Sequence, residues 1–176
     1  PAWPGSEHWK VGRKMRNMTC LSIAPTGTIS LLANTSGGCE PLFALSYQQT
    51  MLGGETSVYL NTIFEHVAKE RGFASPELFR EVAQQGSIQQ LASVPEDVRR
   101  VFVTARDISP AWHIRMQAAL QKQVDNSISK TINFPKTATI RDVEEAYLLA
   151  WKMGCKGLTI YRDGSLDEQV LQVGER

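Results

Sequence analysis

The chain has 176 residues, 42% hydrophobic and 21% charged, the composition of an ordinary globular domain or a large piece of one. A formal net charge of +1 gives no general pull toward nucleic acid or anionic membranes, and no run of about 18 apolar residues offers a membrane span. Cys20, Cys39 and Cys155 are widely spaced and form no CxxC pair. They argue against a zinc knuckle or a disulfide framework and fit reduced, mostly buried thiols in a cytoplasmic protein.

The opening residues 1–16 read as a loop broken by Pro1, Pro4, Gly5 and Gly12. No signal peptide is visible in PAWPGSEHW, and the start at Pro1 fits an excised or processed segment. The cluster Lys10, Arg13, Lys14, Arg16 lacks interleaved aromatics and reads as a solvated arm. MTCLSIA, residues 18–24, predicts a buried strand ending at Pro25, followed by a short helix or turn over TGTISLLAN. SGG at 36–38 breaks the chain, and residues 41–47 read as extended. From Val58, apolar residues at Leu60, Ile63, Phe64, Val67 and Ala68 predict an amphipathic helix closed by Gly72.

Ser75-Pro76-Glu77 is a helix start with a serine cap and proline in the first turn, and Pro95 opens another short helix. Ser109-Pro110 begins a longer helix carrying Trp112, Ile114, Met116, Ala119 and Leu120. SKTINFP, 129–135, alternates as a strand; Thr139 with Asp142 three residues on opens a helix to about Met153, with Gly154 at its end. KGLTIY, 156–161, is a further strand, and residues 166–176 read as a frayed tail. The last strand–helix–strand is a βαβ unit, so the class is α/β with a parallel pair. Residues 1–176 form a single partial domain.

The stretch APTGTIS, 24–30, is the leading candidate site. Thr26, Thr28 and Ser30 supply hydroxyls, and Gly27 allows close approach to the backbone. A helix starting near Thr28 would aim its free N–H groups and positive dipole end at one point, a cradle for an anion. It has no lysine and is not a P-loop. The same spacing also suits a plain Pro-Gly turn whose threonine caps a helix. Glu40, beside the SGG break, suits either substrate orientation or satisfaction of backbone donors; Asp125 and Asn126 suit helix capping as well as catalysis. His8, His66 and His113 form no HxxxH or HExxH pair, so no metal site is expected. The three thiols read as structural by default.

Four runs carry a family resemblance: RNMTCLSIAPTGTIS (16–30), SGGCEPLFALSY (36–47), PEDVRRVFVTARDISPAWHIRMQAALQKQVDNSISKTINFP (95–135) and AYLLAWKMGCKGLTIYRDGS (146–165). In this order the chain resembles the late part of the catalytic subunit of ribonucleotide reductase, above all its vitamin B12-dependent class II branch. The resemblance implies a portion, the C-terminal part, of a ten-stranded α/β barrel. The intact enzyme would reduce a ribonucleotide substrate to a deoxyribonucleotide. Adenosylcobalamin would generate a thiyl radical that takes the 3′ hydrogen, a cysteine pair would supply electrons, and a thioredoxin-like reductant would recharge that pair. The PTGTIS-type loop would hold the substrate phosphates, which assigns that role to Pro25, Thr26, Gly27, Thr28, Ile29 and Ser30.

No catalytic residue is assigned. The family's radical cysteine lies in Asn-x-Cys-x-Glu, whereas Asn17 is followed here by Met18-Thr19-Cys20-Leu21-Ser22. The resemblance places that loop upstream of Pro1, in a missing N-terminal part of the barrel that would be a partner of this segment. Tyr161 stands alone in KGLTIYRDG, without the tyrosine pair of the B12-independent class I enzymes. A partial barrel also exposes edges and apolar faces suited to a second copy, a homo-oligomer. The competing expectation is a non-catalytic nucleotide-binding, phosphate-binding or assembly module built from the same barrel.

Overall fold

The computed structural model describes residues 10, 12, 16–17, 19–50, 56–165 and 171–173. Most of the expected N-terminal loop and basic arm, with most of the expected frayed tail, lies outside those residues. The described elements run α1 (Gly27–Leu32), β1 (Ser46–Thr50), β2 (Thr56–Leu60), α2 (Thr62–Glu70), α3 (Pro76–Gln85), α4 (Glu96–Val101), α5 (Pro110–Gln121), β3 (Thr131–Phe134), α6 (Ile140–Lys152), β4 (Thr159–Arg162) and β5 (Leu171–Gln172).

The expected βαβ unit is present: β3 pairs in parallel with β4, Ile132 opposite Ile160, with α6 as the crossover. Thr139 caps α6 in a full capping box, its side chain accepting from Asp142 N while the Asp142 carboxylate accepts from Thr139 N. Ile114, Ile132, Phe134, Ala146 and Ala150 form the core between α5, α6 and the pair.

A second sheet was not expected from the sequence. It has the order β2-β1-β5 and is antiparallel, with Ser46 opposite Leu60 and Gln48 opposite Gln172. Two expectations change with it. Val58 and Leu60 belong to β2 rather than to the following helix, which starts only after Asn61, whose side chain accepts from Phe64 N at 2.9 Å. Within the tail expected to fray, Leu171 and Gln172 pair with β1, and Val173 packs so close to Gly86 that an added Cβ there would sit 2.7 Å from it.

The helices behind this sheet enclose the larger core, built on Leu45, Phe64, Leu78, Val82, Ile88, Leu91, Val94 and Val98. Ser75 caps α3 by accepting from Leu78 N at 3.1 Å, as its Ser-Pro start predicts. α5 departs from its expected apolar stripe. Ser109 makes no side-chain cap bond, Trp112 and Met116 are exposed, and the buried face carries His113, Ile114, Gln117, Ala118 and Gln121. The polar members of that face bond backbone: His113 Nε2 to Ala105 O at 3.0 Å, Gln117 Nε2 to Gly157 O at 2.6 Å, Gln121 Nε2 to Asn126 O at 2.8 Å. Burial, above all, holds the His113 imidazole below its ordinary pKa, so the ring is neutral and donates to Ala105. No helix among the described residues is long and apolar enough to cross a membrane.

Phe64 is fully buried and meets Phe73, Phe79 and Phe102 with ring centroids 5.4 to 6.5 Å apart. Phe64→Ala should therefore lower unfolding stability by about 3–5 kcal/mol. Chemical denaturation measures this, and a loss below about 1 kcal/mol would contradict the placement of this core.

Candidate functional site

The residues leading into APTGTIS, expected as a buried strand, form neither a regular strand nor a buried one. The Asp125 carboxylate accepts from Cys20 N at 2.8 Å and Leu21 N at 3.2 Å. Leu21 O and Ile23 O accept from Asn126 N and Ser129 N. The neighbour across these bonds, residues 125–129, is irregular, so no ladder forms; Leu21 is 58% exposed and Cys20 is exposed rather than buried. Asp125 is thus an anchor for the approach to the loop, a role that capping or catalysis did not suggest.

At Thr26 the chain turns sharply, with φ at +50°. A β-branched residue in the left-handed region is strained by about 1–3 kcal/mol, and such strain persists only where surroundings enforce it. The turn delivers the chain straight into α1, where Ser30 N bonds Thr26 O at 2.9 Å. The N–H groups of Gly27, Thr28 and Ile29 precede the first intrahelical bond and have no acceptor among the described residues. They are the donors that the sequence places at this point.

The six candidate residues are brought together, but in different capacities. Gly27 meets nothing within 4 Å of an added Cβ, so the fold does not require glycine there and the space is open to a ligand. Thr28 and Ile29 are exposed; Ile29, 65% exposed, can offer only its backbone N–H to an anion. Ser30 is placed differently from its neighbours: it is buried, and its hydroxyl donates to Gly27 O at 2.7 Å, so that proton is committed within the loop. Pro25 and Thr26 shape the turn.

The SGG break packs onto this turn. A Cβ on Gly37 would lie 3.1 Å from Pro25 O, 3.2 Å from Thr26 Oγ1 and 3.3 Å from Ser30 Oγ. Gly38 has φ of +51°, and a Cβ there would lie 3.0 Å from Ala24 O. Both glycines therefore sit at tight approach to the turn, a pairing the sequence showed only as a break. Beyond the turn lies a cavity of about 390 Å³, bordered by Pro25, Gly27, Thr28 and Ser30 on one side and by Glu40, Tyr47 and Tyr59 on another. Tyr59 Oη donates to Asn34 Oδ1 at 2.9 Å, and Asn34 Nδ2 donates to Thr62 Oγ1 at 2.8 Å, tying the end of α1 to the hairpin and α2. Burial keeps the Tyr47 phenol above its ordinary pKa, so that group is uncharged near neutrality.

Glu40 does satisfy donors: its Oε2 accepts from Lys130 Nζ and its Oε1 from Thr131 N, each at 2.5 Å. Cys39 is half-buried, with Sγ 4.0 Å from Ser129 O. Burial raises the thiols of Cys39 and Cys155 above their ordinary pKa, the reverse of an activated cysteine. His66 lies exposed 3.8 Å from Glu70. His8 is outside the described residues.

The fold is that of a segment of an α/β barrel, with a helix-start loop at the end of its entering extended run. Residues 7–161 match the model of the family described as "Ribonucleotide reductase, barrel domain", and the chain belongs to that family. It is 46% identical over 174 residues to a vitamin B12-dependent ribonucleoside-diphosphate reductase of Thermoplasma acidophilum, covering 99% of this chain and 22% of that protein. It is 44% identical over 171 residues to a protein of the same description from Mycobacterium tuberculosis (strain H37Rv), covering 97% of this chain and 24% of that one. The alpha subunit of the Actinobacillus ureae class Id ribonucleotide reductase shares its fold with a TM-score of 0.70 at 28% identity, over 89% of this chain and 28% of that chain. The chain thus spans about a quarter of the length of the relatives it matches.

The two glycine environments predict opposite outcomes. Gly27→Ala should leave the melting temperature unchanged or slightly raised, because the space is open and alanine suits a helix better. Gly38→Ala should destabilise by about 1 kcal/mol or more, through the left-handed backbone and the contact with Ala24 O. Thermal unfolding of the two variants measures the contrast; equal melting temperatures would contradict it.

Proposed function

We propose that this chain is the part of a vitamin B12-dependent ribonucleoside-diphosphate reductase that holds the substrate's phosphates. The observation that carries the reading is the open helix start at Gly27, Thr28 and Ile29: three N–H groups without an acceptor among the described residues, beside a glycine whose missing Cβ leaves room for a ligand. Phosphate oxygens would accept from those groups and from the Thr28 hydroxyl, with the positive end of α1 adding to the attraction. The cavity alongside would receive the remainder of a nucleotide. Membership of the reductase family and the names of the two B12-dependent relatives favour this over a free-standing binding module.

The reaction of the intact enzyme would be the reduction of a ribonucleotide to a deoxyribonucleotide, started by a thiyl radical and fed with electrons by a cysteine pair. None of the three cysteines of this chain is proposed for either role. Cys20 has its backbone N–H held by Asp125 on the entering segment, and Cys39 and Cys155 are partly buried thiols that burial pushes above their ordinary pKa. The cobalamin of the relatives' names would supply the radical. Among the described residues no three His, Cys, Asp or Glu side chains converge on a metal position, and His113 is bonded to Ala105 O. No residue of this segment is assigned to that cofactor. A thioredoxin-like reductant and the rest of the barrel are the partners this reading requires.

Titration calorimetry with a ribonucleoside diphosphate tests the phosphate role. The unaltered protein should bind, and Thr28→Ala and Gly27→Ala should each raise Kd about tenfold without loss of fold, one by removing a donor to a charged group and the other by filling the ligand's space. Binding that is indifferent to both changes would sink the assignment.

A further inference from the structure

Glu40 and Lys130 take no part in the phosphate contacts proposed above, yet they stand at the root of the loop that makes them. Lys130 is 1% exposed, the most deeply placed charge among the described residues. Its ammonium donates to Glu40 Oε2 at 2.5 Å and to Thr131 O at 2.9 Å, while Glu40 Oε1 accepts from Thr131 N at 2.5 Å. Glu40 is therefore clamped at both oxygens to the start of β3. From Glu40 the chain runs back through Cys39 to Gly38 and Gly37, whose backbones lie against Ala24 O, Pro25 O, Thr26 Oγ1 and Ser30 Oγ. Residues 37–40 thus form a short strut, fixed to β3 at one end and pressed on the cradle turn at the other. Ser129, next to Lys130, holds the entering segment through its N–H to Ile23 O at 3.0 Å. The stretch 129–131, leading into β3, thus contacts both sides of the turn.

We propose that Glu40 and Lys130 are positioning residues of the phosphate cradle: the buried pair sets Gly37 and Gly38 against residues 24–30 and so enforces the left-handed Thr26 that aims the free N–H groups at one spot. The inference rests on reading that loop as a phosphate site. Thr26 supplies its physical need, because a strained residue reverts unless its surroundings hold it. The pair also has an electrostatic consequence. Glu40 borders the cavity, and a carboxylate facing an anion site repels the anion; Lys130 cancels that charge locally.

A merely stabilising pair behaves differently from a positioning one. Replacing both members of a buried ion pair by neutral groups often costs little stability, whereas removing one member strands the other. The experiment measures melting temperature and the Kd for inorganic pyrophosphate, on the unaltered protein, on Lys130→Met and on Glu40→Gln/Lys130→Met. The double variant removes one charge of each sign, so net charge is unchanged. Lys130→Met should melt lower and bind at least about tenfold more weakly. The double variant should recover most of the melting temperature while its Kd stays about tenfold raised, since the strut is slack although no charge is stranded.

A double variant that folds and binds within about twofold of the unaltered protein overturns the proposal, reducing the pair to charge compensation or stability. If that variant does not fold, Glu40→Asp decides: it keeps the charge and shortens the strut by one methylene, and should raise Kd about tenfold, a change within twofold again being contradictory. Failure of the unaltered protein to bind pyrophosphate at all contradicts the cradle itself, which separates the two claims.

Discussion

A lysine ammonium removed from water must be paired, and Lys130 is removed almost completely. That requirement brings Glu40 across 90 residues of sequence to the start of β3. With Glu40 comes the Gly37-Gly38 turn, and against that turn lies the run from Ala24 to Ser30. The parallel pair β3–β4 and its crossover α6 provide the rigid support on which this chain of contacts is built. The candidate site is thus a surface loop whose Gly37-Gly38 side is tied to a buried charge, with the left-handed Thr26 at its turn.

Around this point the molecule has two kinds of packing. The helical half is conventionally apolar, centred on Phe64 and its ring contacts. The side of α5 that faces the β3–β4 unit is mixed: Ile114 and Ala118 pack, while His113, Gln117 and Gln121 use their side chains to satisfy loop carbonyls at Ala105, Gly157, Val124 and Asn126. Each of those bonds orders a segment that has no regular structure of its own. A scaffold that holds loops through buried amides suits a barrel whose chemistry is carried by loops at strand ends.

Local signals in the sequence were sound where one or two residues decide the backbone. Ser75 with Pro76, Thr139 with Asp142, and the alternation of Ile132 and Phe134 each name an element that is present. Readings were less secure where spacing was ambiguous or distant. Val58 and Leu60 fit a helical repeat, but two apolar residues two apart fit a strand equally, and pairing with β1 decides for the strand. Trp112 and Met116 look like a core stripe, yet α5 turns its polar histidine and glutamines inward because unsatisfied loop carbonyls lie there. The loop APTGTIS was legible as a helix start, but the hydroxyl of Ser30 was not legible as already bonded to Gly27 O. Lys130 could have been found: it shares the alternation of Ile132 and Phe134 and therefore their buried face. Its partner could not, since nothing near Glu40 indicates which of the chain's cations it meets.

The central claim is that the N–H groups of Gly27, Thr28 and Ile29 receive a phosphate. Amide chemical-shift mapping during titration with a ribonucleoside diphosphate tests it most directly. The account predicts saturable downfield shifts concentrated on Gly27, Thr28 and Ile29, reduced in Gly27→Ala. Saturable shifts that leave these three amides untouched, or no shifts at all, would contradict it.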